Sequence, residues 1–103
     1  MKTGTRAGRP RPADYRNLFQ AVATLKSAAE AGDFLRDLCT PAELEAMADR
    51  WRAVQMLKQG RTYREISEAT GMSVTTVGRV ARFMSDGFGG YDRVFQRTSR
   101  RNR

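Results

Sequence analysis

The sequence predicts an all-α fold, and three observations predict it. Apolar residues recur at three- and four-residue spacing along most of the 103 residues. Residues that start and stop helices punctuate that pattern at regular places. No stretch alternates apolar and polar residues over a useful strand length, and no internal repeat is present.

Residues 1–12, MKTGTRAGRPRP, are rich in Gly, Pro and Arg and read as a disordered basic arm. A first helix is expected over about 14–29. Asp14 can cap it, and Tyr15, Leu18, Phe19, Val22 and Leu25 fall on one side. Ala21, Ala23, Ala28 and Ala29 allow close packing beside that stripe. A short second helix is expected after Gly32, with Asp33 as cap and Phe34, Leu35 and Leu38 as its apolar side. The third helix has the clearest start: Thr40-Pro41-Ala42-Glu43 sets a capping threonine, a proline at the first helical position and a glutamate three after the cap. Leu44, Met47, Trp51 and Val54 form its stripe, and Gly60 ends it.

Two short helices follow, at about 63–69 and 74–84. Thr62 and Glu65 make a capping box for the first. Gly71 sits where that helix must stop and the chain must turn, because a left-handed backbone costs glycine little. Ser73 can cap the second by accepting a bond from a free backbone N–H. Val77 and Val80 lie on one side of it, with Phe83 and Met84 close behind. Gly87, Gly89 and Gly90 then break the chain, and Tyr91–Gln96 forms a last short helix. The expected organisation is an arm over 1–12, an all-α helix-turn-helix DNA-binding domain over 13–96, and a basic C-terminal tail over 97–103.

The pair of helices around Gly71 has the pattern of a helix-turn-helix, a unit that places its second helix in the DNA major groove. Ser73, Val74, Thr75, Gly78, Arg79 and Arg82 remain for the outward side. Small hydroxyls and methyls near a helix start suit base edges and thymine methyls, and arginines suit guanine or phosphate. Arg64 is placed for the backbone or a groove edge, and Arg61 for phosphate. The bland alternative is an ordinary helical hairpin that never meets DNA.

Charge favours a polyanion. The chain has 19 Lys and Arg against 11 Asp and Glu, a formal charge of +8. The excess lies at the ends: Lys2, Arg6, Arg9 and Arg11 in the first twelve residues, and Arg93, Arg97, Arg100, Arg101 and Arg103 in the last eleven, with no acidic residue in either segment. Phosphate contacts from such ends add affinity with little sequence information. Several classes fall away. One cysteine, Cys39, excludes an internal disulfide, and with no histidine the usual zinc sites cannot be assembled within one chain. No catalytic arrangement stands out, so no enzyme and no cofactor is expected. No apolar run approaches the roughly 20 residues of a membrane span, and the start lacks a secretory pattern. A cytoplasmic location is expected.

Taken in order, LCTPAELEAMADRW, GRTYREISEATGMSVTTVGRVARF and GFGGY resemble the Trp repressor superfamily, and most closely its TrpR-like YerC/YecD branch. The resemblance covers about residues 35–95. It implies a Trp repressor-like helical domain, an intertwined homodimer, and operator binding through residues 64–82. In the tryptophan-responsive repressors of that superfamily, the amino acid is held by a threonine before the proline, an arginine ten positions later and an arginine in the recognition helix. Those positions are Thr40, Arg50 and Arg79 here. A glycine and a serine that follow in the family are replaced by Val80 and Phe83, which puts bulk where an indole would need room. The expectation is therefore a repressor that tryptophan does not switch. Read plainly, Arg50 is a surface residue paired with Glu43, Glu45 or Asp49.

These readings converge on a sequence-specific DNA-binding transcriptional regulator, a repressor by occupancy, acting as a homodimer on double-stranded DNA. Two alternatives stay open. One is a regulator responding to a small anionic effector near Thr40, Arg50 and Arg79. The other is a helical protein-interaction module with no sequence preference on DNA.

Overall fold

The computed structural model describes residues 8–101. Six helices follow in order among them: α1 (Pro12–Ala23), α2 (Ala28–Leu38), α3 (Pro41–Lys58), α4 (Tyr63–Thr70), α5 (Val74–Asp86) and α6 (Gly90–Arg101). No strand occurs among the described residues. Residues 1–7 of the expected arm and 102–103 of the expected tail lie outside them. The chain divides into two compact units, one up to Thr40 and one from Pro41 onward.

The first unit departs from the expected helix bounds. α1 stops at Ala23 instead of running to 29. Its last turn tightens: the Thr24 N–H donates to Ala21 O at 3.1 Å, and the Thr24 hydroxyl donates to the same carbonyl at 2.7 Å. A new helix then starts at a cap the periodicity had hidden. Ser27 Oγ accepts from the Glu30 N–H at 3.1 Å, while the Glu30 carboxylate accepts from the Lys26 N–H at 3.0 Å. Gly32 and Asp33 therefore lie inside α2, and Asp33 is not its cap. Asp14 is not the cap of α1 either; it occupies the first turn and accepts from the Arg11 N–H at 2.9 Å. Neither helix buries a residue, and Tyr15, Phe19, Val22 and Leu38 stay exposed.

The second unit holds the core. Ala53, Val54 and Met56 of α3, Ile66 of α4, and Val77 and Val80 of α5 are buried together, with Trp51, Leu57, Met72, Met84 and Tyr91 packed around them. Only the C-terminal half of α3 takes part. Leu44 is half-buried and Met47 exposed, although they share the expected stripe with Trp51 and Val54. α6 is joined to α3 by three contacts. The Trp51 and Tyr91 rings lie 6.4 Å apart between centroids, Lys58 Nζ meets Asp92 Oδ1 at 2.6 Å, and the same ammonium stands 5.6 Å from the Phe95 ring centre. α6 is also longer than Tyr91–Gln96 and takes in residues 97–101.

Candidate nucleic-acid interface

Two caps and one glycine set the geometry of α4 and α5. The Thr62 hydroxyl accepts from the Glu65 N–H at 3.1 Å, and the Glu65 carboxylate accepts from the Thr62 N–H at 2.9 Å. That bond to Thr62, with the Arg61 guanidinium 3.4 Å away, holds the Glu65 carboxyl below its ordinary pKa. α4 ends at Gly71, whose φ of 82° lies in the left-handed region that favours glycine. Three residues later α5 begins. Ser73 Oγ accepts from the Thr76 N–H at 3.0 Å and lies 2.9 Å from the Thr76 hydroxyl. The turn between them is braced as well: the Ser67 hydroxyl donates to Met72 O at 2.6 Å, and the Met72 N–H donates to the Thr70 hydroxyl at 3.1 Å. These bonds together fix how α5 leaves α4.

α5 then divides by helical spacing. Val77, Val80 and Met84 face the core. Thr75, Arg79 and Arg82 are exposed and recur at four and three residues, so they share the opposite side. Seven residues at 1.5 Å each make this strip about 10 Å long. Val74 is exposed at the helix start. Arg64 is exposed on α4, and Arg61 is exposed but tied to Glu65. Two of the expected residues also serve the fold. Ser73 is exposed, yet its hydroxyl is committed to the cap. Gly78 is half-buried and faces α4: a Cβ there would stand 3.6 Å from Tyr63 Cε2, an ordinary contact.

Arg50, Arg79, Val80 and Phe83 do come together, around a cavity of about 340 Å³. Thr76 and Tyr91 complete its wall, and sequence reasoning had named neither for it. Their signal was present in the Thr-Thr-Val of α5 and in the tyrosine that follows Gly89-Gly90. The bulk of Val80 and Phe83 has not filled this space. Val80 turns into the core at 2% exposure, and Phe83 is 49% exposed. Arg50 forms no ion pair with Glu45 or Asp49 among the described residues. Thr40 stands immediately before Pro41, the first residue of α3. A larger apolar opening, about 530 Å³, lies between Trp51, Phe83, Phe88, Tyr91 and Val94. Among the described residues, no group of three or more His, Cys, Asp or Glu could hold a metal ion, and no helix is long and apolar enough to cross a membrane.

Comparison with known proteins agrees with this geometry. Residues 13–99 match the family described as Trp repressor protein. A Bacillus subtilis (strain 168) protein, described as uncharacterized protein YerC, is 36% identical over 80 residues, which span 78% of this chain and 77% of that protein. Among solved structures, a TrpR-like protein from Eubacterium eligens ATCC 27750 aligns with a TM-score of 0.78 at 39% identity, covering 94% of this chain and 96% of its own. A putative Trp repressor from Staphylococcus aureus aligns with a TM-score of 0.79 at 35% identity, covering 86% and 89%. With a family match over most of its length and relatives above 30% identity, the chain belongs to the Trp repressor family, in its TrpR-like YerC group.

Proposed function

We propose that this protein is a sequence-specific DNA-binding regulator that acts as a homodimer, with α4 and α5 as a helix-turn-helix and α5 as the helix that enters the major groove. One observation carries the reading: the outward strip of Thr75, Arg79 and Arg82 on a helix whose other side is locked into the core. A strip that is rigidly aimed loses little entropy on docking. Thr75 and Val74 approach base edges and thymine methyls. Arg79 and Arg82 reach guanine or phosphate, where a good bidentate pair contributes roughly 1–3 kcal/mol of discrimination. Arg61 and Arg64 reach phosphates beside them. Arg93, Arg97 and Arg100, exposed along α6, add contacts that do not depend on sequence. Occupancy of an operator is the simplest route to repression.

The homodimer has its own support. α1 and α2 bury nothing within their unit, and Phe19 is 65% exposed beside Tyr15, Leu18 and Val22. A contiguous apolar stripe of this kind calls for a partner surface. A second copy supplies one, and it doubles the recognition helices, as a two-fold operator requires.

A second reading is favoured by the cavity between Arg50 and Arg79. At about 340 Å³ it has room for a small ligand, and the two guanidiniums suit an anionic one. Arg79 and Phe83 belong to α5, so an occupant there bears directly on the recognition helix.

Selection of bound duplexes from a random library, at about 0.15 M salt and with or without tryptophan, tests both readings. A two-fold consensus obtained without ligand supports constitutive regulation. Enrichment only with tryptophan makes the cavity an effector site. No consensus under either condition overturns the DNA reading and leaves the interaction module. The expected variant behaviour is specific: Thr75→Ala changes which duplexes are chosen, whereas Arg97→Ala weakens all of them alike.

A further inference from the structure

We infer that a polar groove between the C-terminal half of α3 and α6 is a phosphate-binding site, one that grips a backbone phosphate outside the bases read by α5. The groove has a volume of about 510 Å³. Arg52, Gln55, Gln59, Arg61 and Ser99 line it over a floor that includes Met56. No carboxylate is among its lining residues. Every polar group facing it can donate a hydrogen bond, which is the chemistry an anion needs.

The two arginines are the reason to choose phosphate. Each is already anchored by one bond made outside the groove. Arg52 Nη1 donates to the Ala69 carbonyl at 3.2 Å, and Arg61 Nε donates to the Glu65 carboxylate at 3.4 Å. A guanidinium has five N–H donors in a planar fork, so both keep donors for a ligand. The anchors hold the side chains in place before any ligand arrives, which lowers the entropy lost on binding. Glu65 does offset part of the Arg61 charge, but its oxygen also accepts from the Thr62 N–H. Arg52 has no carboxylate partner among the described residues. Arg61 immediately precedes the cap of α4, so the groove opens beside the first turn of the proposed DNA-binding unit. The inference thus rests on the DNA reading for its natural ligand, though not for its chemistry.

Gln59→Glu tests it, because an exposed side chain at the end of α3 gains a negative charge while no bond described above is removed. Asn17→Asp on α1 is the control for net charge alone. Affinity for several unrelated duplexes is measured against salt for the full-length protein and both variants. A phosphate seated in the groove predicts that Gln59→Glu weakens every duplex several-fold more than Asn17→Asp, without changing the preferred sequence. It also predicts a shallower salt dependence, by about 0.9 in the log–log slope, the value of one lost phosphate contact. A parallel titration with inorganic phosphate against chloride at equal ionic strength, followed by the Arg52 and Arg61 Nε–H resonances, separates the two sources of the anion. Saturation by phosphate that Gln59→Glu abolishes, with duplex binding untouched, assigns the groove to a free phosphate instead of DNA. Equal duplex losses in both variants together with no saturable phosphate shift overturn the site. If the unmodified protein binds no duplex at all, the DNA reading fails by itself, and the phosphate titration alone then decides the groove.

Discussion

Gly78→Ala separates what α5 needs for folding from what it needs for DNA. Glycine inside a helix is about 0.8–1.0 kcal/mol less favourable than alanine. The cost of adding a methyl depends on what it meets. At this position a Cβ meets only Tyr63 Cε2, at 3.6 Å, which is ordinary van der Waals distance. No strain offsets the gain in propensity, and covering the new methyl against the tyrosine adds a few tenths of a kcal/mol of the ~0.8 that a fully buried one brings. The expected result is a stabilisation of about 1 kcal/mol, or a rise in melting temperature of about 4–8 °C for a domain of this size. Thermal melting followed by circular dichroism reads it. Gly78 borders the strip of Thr75, Arg79 and Arg82, but its added methyl meets Tyr63 of α4, so duplex affinity is expected to stay within two-fold or so of the parent. A lower melting temperature refutes the packing argument, because some atom must then occupy the space beside Tyr63. A higher melting temperature with much weaker DNA binding refutes the assignment of faces, and makes Gly78 a point of close approach to the duplex.

Three further outcomes are expected. Glu65→Gln keeps a group that can accept from Thr62 but removes the titration: a carboxyl held below its ordinary value stabilises the fold above its unfolded pKa and loses that contribution as pH falls through the folded value, so denaturant melts of the parent weaken below about pH 5 more steeply than those of the variant. Ile66→Ala empties a side chain that is 0% exposed at the centre of the α3–α4–α5 core and costs about 2–5 kcal/mol in urea unfolding; a cost under 1 kcal/mol would mean the three helices do not depend on one another. Phe19→Glu puts a charge in the exposed stripe of α1, and sedimentation equilibrium is expected to show dimers giving way to monomers; an unchanged mass would remove α1 from the dimer interface.

The second half of the chain was far more legible than the first, and caps are the reason. Thr62, Gly71 and Ser73 each serve the purpose their residue type suggests, because these signals are local: the two hydroxyls bond a backbone N–H three residues on, and the glycine takes a left-handed φ. Ser27 carries the same signal but escaped notice, since Leu25, Ala28 and Ala29 continue the helical pattern across the break. Periodicity reports which side is apolar; it does not report whether the backbone runs on. The stripe of α3 failed for a different reason. Its spacing was right, but which turns of a helix are buried depends on where α4 and α5 lie, and they reach only the turns from Trp51 onward. At the cavity, Thr76 was legible in principle, three residues before Arg79 on the same helix, whereas Tyr91 comes from α6, whose meeting with α5 no local pattern records.

The same tertiary dependence changes the argument about tryptophan. Size alone suggested that Val80 and Phe83 would close the space beside Arg50 and Arg79. Size decides only when direction is known. Val80 spends its volume in the core, against Ile66 and Val77, and Phe83 stands half-exposed between two openings, the cavity of about 340 Å³ and the apolar one of about 530 Å³. Phe83 and Tyr91 are thus shared by the arginine-lined cavity and the larger apolar opening, and Phe83 is the one of the two that belongs to α5. An occupant of either opening would touch Phe83 and so bear on the same turn of α5. Phe83→Ser tests that coupling directly: it restores a hydroxyl and frees volume, so tryptophan is expected to raise the melting temperature of the variant more than that of the parent. Equal shifts, or none in either protein, would mean that Phe83 does not control access to the arginines.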